Sequence, residues 1–366
     1  MAHCIMVATD LHEASLMNLV AADREAAVKL PVANTPAGRG RLWREAKRQA
    51  RRLGGARVVV AYEASSLGFG FYDEAVAQGF DCYVLAPTKI ARSASHRRRK
   101  TDERDAERLL ELLRGHVLAG NPLPAVWVPD AATRADREVV RARLDVAAKR
   151  TALKAQVQSL LKRQSERRPA ATGKGWTGTF LAWLRGLSGA PSPLPPGARV
   201  ALATLLRQLA ALDAELELLD RAVAALSAQP RYAGPVPELA AVQGVGLLTA
   251  MVFLTEIGDL GRFANRKELG AYLGLAPSSD ESGERGERKG HITHQGPWRV
   301  RRVLCQCTWS RMRTDAAEQA AYARIAAKNP RHKKIAVVAL MRRLAVVLWH
   351  RGREAQQRHG CFAHAA

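Results

Sequence analysis

Residues 57–63 read RVVVAYE, three valines, Ala61 and Tyr62 between a basic start and an acidic end, Glu63. An apolar, β-branched run that does not alternate is the pattern of a strand covered on both faces. Upstream, His3–Thr9 is a second apolar run and ends in the same way, at Asp10. Leu16–Ala22 and a weaker Leu30–Asn34 are further candidate strands. Thr35-Pro36 then opens a helix through about Leu53, which Gly54-Gly55 closes. Downstream, Gly79–Ala86 (GFDCYVLA) is another buried strand. Strands joined by close turns, followed by strands alternating with helices, predict an α/β domain over residues 1–125: a mixed sheet with helices on its faces.

Further out the pattern turns helical. Asp130 or Thr133 is placed to cap a helix whose stripe is Leu144, Ala147, Leu153, Val157 and Leu160, set among many Arg and Lys. Gly186–Gly197 (GLSGAPSPLPPG) is a break. Leu202, Leu205, Leu209, Leu212, Leu216, Leu219, Val223 and Leu226 then step alternately by three and four, a heptad seam. It serves either a hairpin with the preceding helix or a dimerising coiled coil, and periodicity does not separate the two. Pro235 and Pro237 open a third region. There Leu239–Ala250 (LAAVQGVGLLTA) reads as a helix-hairpin-helix, with Gly244 and Gly246 turning the chain at a helix N-terminus whose unpaired N–H groups suit a phosphate. The expected division is 1–125, a helical, coiled-coil middle over 126–232, a mainly helical 233–355, and a loose tail over 356–366.

Composition narrows the function. The chain has 366 residues, 57 Lys+Arg against 34 Asp+Glu, a net charge of +23 and a pI near 10.6. That surplus implies a polyanionic partner, nucleic acid ahead of a membrane surface, since no basic amphipathic helix has an aromatic apolar face. Hydrophobic content of 47% excludes a disordered chain. No apolar run reaches the roughly 18 residues of a membrane span, and MAHCIMVATDLH lacks the pattern of a secretory signal. Cys4, Cys82, Cys305, Cys307 and Cys361 are odd in number and form no CxxC pair, which argues against a disulfide scaffold or zinc ribbon and fits a reducing cytoplasm.

Four acids carry the chemistry. Asp10 and Glu63 end strands, while Asp102 and Asp105 in TDERDAERLLELL lie at i and i+3 on one helical face. Taken singly each is a solvated acid; together they form the carboxylate set of a two-Mg²⁺ site, able to stabilise both the attacking and the leaving oxygen of a phosphodiester. Arg97, Arg98, Arg99 and Lys100 stand just before Asp102, placed to guide a phosphate. A second candidate site spans 274–302. It carries Ser278, Ser279 and Ser282, Gly283, Gly286 and Gly290, and Arg285, Arg288, Lys289, Arg299, Arg301 and Arg302. Glycine-rich backbone with interleaved cations approaches a phosphate closely, and a serine there is a candidate nucleophile. His291 and His294 have ligand-like spacing but no third partner, and read as phosphate or solvent contacts. Cys305 and Cys307 read as core, and Trp298 and Trp309 as packing residues rather than base stackers.

Three blocks carry a resemblance: ATD…AYEAS…KTDERDAERL; VPDAATRADREVVRARLDVAAKRTALKAQVQSLL; and VQGVGLLTAMVFLTEIGDLGRFANRKELGAYLGLAPSSDESGERGERKGHITHQGPWRVRRVL. With the closing NPRHKKIAVVALMRRLAVVLWH they cover nearly the whole chain. The sequence resembles the DEDD transposases of bacterial insertion sequences, the group that includes Piv-type DNA invertases and bridge-RNA-guided recombinases. The resemblance implies a RuvC/RNase H-like N-terminal domain and a C-terminal transposase domain. It places the metal-binding tetrad on Asp10, Glu63, Asp102 and Asp105, with Mg²⁺ as cofactor. It places the nucleophile on Ser282, just before Gly283. Many relatives have two adjacent serines there, where this chain has Glu281, and Gly-Asn or Gly-Asp where it has Gly296-Pro297. Ser278 and Ser279 remain alternatives. The implied partners are donor and target DNA, a structured guide (bridge) RNA, and further copies of the chain in a dimer or tetramer with a shared active site, in a bacterial cytoplasm at the nucleoid. Two other readings stay open: a Holliday-junction resolvase-like nuclease using the same acids with water, and a non-catalytic nucleic-acid-binding protein.

Overall fold

The computed structural model describes residues 3–90, 102–282, 285–328 and 330–361, and for 279–289 the backbone alone. The expected basic run Arg97–Lys100 lies outside the described residues. The chain forms two compact units, residues 1–128 and 129–366.

The first unit contains β1 (Cys4–Leu11), β2 (Ser15–Ala22), β3 (Val28–Ala33), α1 (Pro36–Arg52), β4 (Arg57–Glu63), α2 (Gly70–Ala77), β5 (Asp81–Leu85) and α3 (Asp102–Ala119). The five strands form one sheet in the order β3-β2-β1-β4-β5. β1 and β2, and β2 and β3, pair antiparallel, whereas β1, β4 and β5 run parallel. This is the mixed sheet that the sequence predicts. The central strands are sorted by parity, because successive side chains leave a strand on opposite faces. Ile5 and Val7 of β1 with Val58, Val60 and Tyr62 of β4 pack toward Leu42, Trp43 and Ala46 of α1 and Phe71 of α2. Cys4, Met6 and Ala8 with Val59 and Ala61 pack toward Ala106, Leu109, Leu110 and Leu113 of α3. Burying a valine-sized side chain stabilises by about 1.5–3 kcal/mol, which exceeds the roughly 1–2 kcal/mol needed to fix one residue's backbone. The run therefore holds as a strand although Arg57 is exposed and Glu63 only half-buried at its ends.

The second unit contains α4 (Ala131–Arg163), α5 (Gly178–Ser188), α6 (Pro196–Ser227), α7 (Pro230–Ala233), α8 (Pro235–Ala240), α9 (Leu247–Ile257), α10 (Arg266–Tyr272), β6 (Pro277–Ser282), β7 (Arg285–Ile292), α11 (Trp298–Thr314), α12 (Ala316–Lys328) and α13 (Lys334–Arg358). Asp130 caps α4, accepting from the Thr133 N–H at 2.8 Å. Arg143 pairs with Asp220 at 2.7 Å and Arg150 with Asp213 at 2.5 Å. Seven residues forward on α4 is thus seven back on α6, so the two helices are antiparallel. The heptad row Leu202, Leu209, Leu216 and Val223 is buried within the chain. Leu205, Leu212 and Leu219 stay half-buried. The row that is fully covered is therefore used by the intramolecular hairpin.

The two ends of this hairpin enter different cores. Val140, Leu144, Val223 and Leu226 join α8, α9, α11 and α13. Val157, Leu160, Leu161 and Leu202 form a smaller cluster with Phe180, Leu184 and Leu187 of α5. In the main core α9 is buried from Ala250 to Ile257, including Glu256. Arg141 grips both Glu256 oxygens, at 2.7 and 2.9 Å. Arg137 donates to the Thr255 and Glu256 carbonyls at 2.6 and 2.9 Å, satisfying acceptors that the helix end leaves unpaired.

One expectation fails here. Residues from Gln356 onward read as a loose tail, but α13 continues to Arg358 and Gln356 is buried. Its Nε2 donates to the Gly258 carbonyl at 3.0 Å and its Oε1 accepts from the Leu260 N–H at 2.9 Å. A polar side chain used for backbone hydrogen bonds is invisible to a hydrophobicity pattern. Among the described residues no helix is long and apolar enough to cross a membrane.

Candidate active site

The parity of the sheet decides where the acids point. Asp10 continues the row Cys4, Met6, Ala8, and Glu63 continues Val59, Ala61, so both lie on the face that α3 covers. In the parallel pair Thr9 is opposite Tyr62, which puts Asp10 and Glu63 at the same level on adjacent strands. α3 begins at Asp102 and carries Asp102, Glu103 and Asp105 in its first turn. The positive end of the helix dipole favours acids there and offsets part of their mutual repulsion.

These elements meet at one corner of the sheet. Ligating atoms of Asp10, His12 and Asp102 lie within 4.8 Å of one another, the one such cluster among the described residues. His12 Nε2 is 3.1 Å from Asp10 Oδ2 and 3.4 Å from Asp102 Oδ1. Burial pushes the Asp10 carboxyl above the usual carboxylate range; His12 pulls it back by charge and hydrogen bond, and the charges of Asp102 and Asp105 raise it further. A carboxyl in that position is relieved by a cation. Carboxylate oxygens and one imidazole nitrogen at these separations are a donor set that fits a divalent ion. Glu63 and Asp105 stand beside the cluster, both half-buried.

His12 escaped the sequence reading. The signal was Asp10-x-His12 at a strand end, two ligand types one residue apart. It sits in the β1–β2 turn, where its N–H donates to the Ser15 carbonyl at 3.0 Å and its carbonyl accepts from Asn34 Nδ2 at 2.7 Å. Arg39 donates to Asn34 Oδ1 at 2.7 Å and pairs with Glu74 at 2.8 Å.

The second candidate region is built on a two-stranded antiparallel ribbon that leads into α11. Ser282 ends β6 opposite Arg285 of β7, and Ser279 and Asp280 stand opposite Lys289 and Arg288. The side chains of Ser279, Ser282, Arg285, Arg288 and Lys289, and Gly283 altogether, lie outside the described residues. Ser278 Oγ donates to the His291 carbonyl at 3.1 Å inside the ribbon.

Arg301, read as a phosphate contact, is engaged at the ribbon's base instead. It donates to the carbonyls of Leu273, His294, Gln295 and Gly296 at 2.9–3.2 Å, tying the entering and returning chains together. Gly296 has φ +78°, and a Cβ there would collide with the Tyr272 carbonyl, so glycine permits the two chains to touch. Arg299 pairs with Asp145 at 3.1 Å and lies over the Trp298 ring at 4.7 Å. Arg302 is half-buried on α11. His291 and His294 are exposed and join no ligand cluster among the described residues.

Gly244 and Gly246 do occupy a tight turn between α8 and α9, with Gly246 as the exposed N-cap of α9. Only Gly244 has a left-handed φ, +79°, and a Cβ there would press on Arg311 Cγ at 2.9 Å. Arg311 Nη1 donates to the Gln243 carbonyl at 2.9 Å and pins the turn.

Trp298 and Trp309 correct the sequence reading. They are 49% and 51% exposed, not core. Eleven residues apart is three helical turns, so both stand on one face of α11, which continues to the exposed Arg313. Cys307 is buried as expected and Cys305 half-buried.

Comparison with known proteins places these features. A family model described as the transposase IS116/IS110/IS902 family matches residues 236–324. A second, described as a transposase and named for the DEDD motif of IS110, matches residues 7–165. The chain is 33% identical to a putative transposase, y4qE, of Sinorhizobium fredii, over 82% of this chain and 76% of the relative. It is 30% identical to a second putative transposase of that organism, y4rJ, over 83% and 80%. A transposase for the insertion sequence element IS1533 of Leptospira borgpetersenii is 25% identical over 68% and 69%.

Proposed function

The chain belongs to the IS110/IS116 family of insertion-sequence transposases, enzymes that act on DNA, and from that premise we propose that it excises and inserts its own element through a serine–DNA intermediate, guided by a structured RNA. The observation that carries the reading is the convergence of Asp10 and Asp102 at the corner where Glu63 and Asp105 also stand, in a chain that also carries the C-terminal transposase block.

The four acids would hold divalent metal, which the DEDD family uses; Mg²⁺ is our choice of ion. When bound, the ion supplies charge stabilisation to the scissile phosphate and the leaving oxygen. The Ser282 Oγ attacks phosphorus, the bond to the DNA 3′ oxygen breaks, and the departing 3′ hydroxyl takes a proton. The 3′ hydroxyl of the exchanged strand then attacks the phosphoserine and releases Ser282. The phosphodiester's energy is retained in the covalent link, so strand exchange needs no nucleotide hydrolysis. A net charge of +23 suits a protein that holds RNA and DNA together, reading shape and backbone while base pairing reads sequence.

A second reading is favoured by one specific observation: among the described residues the one group of candidate metal ligands, Asp10, His12 and Asp102, stands at the acidic corner. In it the corner directs water at the phosphodiester, as in a junction-resolving nuclease.

An excision assay separates them. The gene is supplied with its native flanking DNA, and the circular junction is sought by PCR for wild type, Asp102→Asn and Ser282→Ala. Loss in both variants, with a covalent protein–DNA adduct formed by wild type in the presence of metal and missing in Ser282→Ala, in Asp102→Asn and when metal is withheld, is the expected result. A junction retained in Ser282→Ala overturns the serine and leaves the hydrolytic reading.

A further inference from the structure

We propose that His12 is a nitrogen ligand of the ion held at the acidic corner and that it moves the corner's preference from Mg²⁺ toward Mn²⁺. The inference rests on the metal-site reading above and adds to it a residue outside the acidic tetrad. His12 Nε2 lies 3.1 Å from one carboxylate oxygen and 3.4 Å from the other. Neighbouring ligands around a six-coordinate ion with bonds of about 2.1 Å are about 3 Å apart, so both distances from Nε2 are those of adjacent ligands in one coordination shell, and the two carboxylate oxygens lie within 4.8 Å of each other. Burial does not explain the position of the ring, which is 42% exposed. It is presented from a turn whose backbone is fixed on both sides, by Ser15 and by the Asn34–Arg39–Glu74 chain. The supported backbone limits where the exposed ring can go and keeps Nε2 near both carboxylates.

The chemistry follows from the donor types. A corner of carboxylates alone offers only hard oxygens and suits Mg²⁺. Imidazole is a borderline donor that adds affinity for Mn²⁺ and later transition ions and little for Mg²⁺. A nitrogen ligand binds through its lone pair, so the form of His12 that would hold the ion carries no hydrogen on Nε2.

The test uses the purified full-length chain stripped of metal. Mn²⁺ binding is followed by electron paramagnetic resonance, and Mg²⁺ binding by competition, in wild type, His12→Gln and Asp10→Asn. Pulsed spectra of the Mn²⁺ form should show ¹⁴N coupling in wild type and none in His12→Gln. Mn²⁺ affinity should fall by about 10–100-fold in that variant, while Mg²⁺ affinity changes far less. Bound Mn²⁺ without nitrogen coupling in wild type overturns the proposal and leaves the metal site standing. So does coupling that survives in His12→Gln, or an equal loss for both ions, which would make His12 only a positioner of Asp10. Full Mn²⁺ affinity in Asp10→Asn would instead remove the metal-site reading itself, and the proposal with it.

Discussion

The acidic corner and the β6–β7 ribbon hold their candidate groups in opposite ways. Asp10 and Glu63 end strands whose preceding residues are buried on both faces, and α3 is packed on the sheet beneath Asp102 and Asp105. The ribbon has two strands with register shifts between Pro277 and Ser279 and between Asp280 and Ser282, and it is fastened at its base by one guanidinium. A group that must meet a metal to within a fraction of an ångström gains from a packed sheet. The serine proposed above would instead be carried on an arm held at its base.

The difference can be broken or sharpened experimentally. The largest effect should come from the helical core on which the ribbon stands. Glu256→Ala leaves Arg141 without its buried carboxylate partner, while Arg137 keeps its bonds to the Thr255 and Glu256 carbonyls; because Arg141 is 32% exposed the cost should lie near the low end for a broken buried pair, about 3 kcal/mol, read by denaturant unfolding. A loss below 1 kcal/mol would make the pair a surface ornament.

Arg301→Lys keeps the charge but not four carbonyl bonds. Excision should drop by roughly 100-fold, since a displacement of about 1 Å near the chemistry has that effect. DNA affinity should hold, and hydrogen exchange should quicken over residues 275–292. Lost DNA affinity with unchanged exchange would restore Arg301 to phosphate binding.

Trp298→Ala and Trp309→Ala should each weaken single-stranded nucleic acid binding about tenfold, the scale of one stacked base, with little change in Tm because both rings are half exposed. A lowered Tm with unchanged binding would return them to packing.

The smallest effect separates stability from chemistry at the corner itself. Burial raises the Asp10 pKa in the folded state. The folded chain therefore binds more protons than the unfolded one between the two pKa values, and the stabilisation present below the ordinary carboxylate pKa is lost as pH rises through the raised one. Asp10→Asn, in metal-free buffer, should thus raise Tm slightly at pH 7, by about 2 °C, with the gain shrinking toward pH 4 even as excision disappears. A variant less stable at pH 7 would mean that the hydrogen bond from His12 outweighs the burial.

The sheet was legible because its signals are local and redundant. Val58–Tyr62 and Cys4–Ala8 are apolar without interruption, and each leads to an acid at or beside the end of its strand, Glu63 and Asp10. Period 2 then fixes which face each acid takes, so the corner follows from the strands. α2 left no trace, being two turns long with no capping side chain. The ribbon's strands are not visible in the sequence, because alternating Gly, Arg and Glu carry no apolar face. His12 was missed because its meaning lies in its distance to Asp102, ninety positions away. Trp298 and Trp309 were misassigned because tryptophan is apolar by composition, and only the helix that carries them shows which side is uncovered.

The antiparallel pair α4 and α6 has a mechanical meaning. At about 1.5 Å per residue the 33 residues of α4 span about 50 Å. One end is embedded in the main core, and the other carries only the small cluster around α5. That is a cantilever, and a root rotation of about 5° would sweep its free end through about 4 Å.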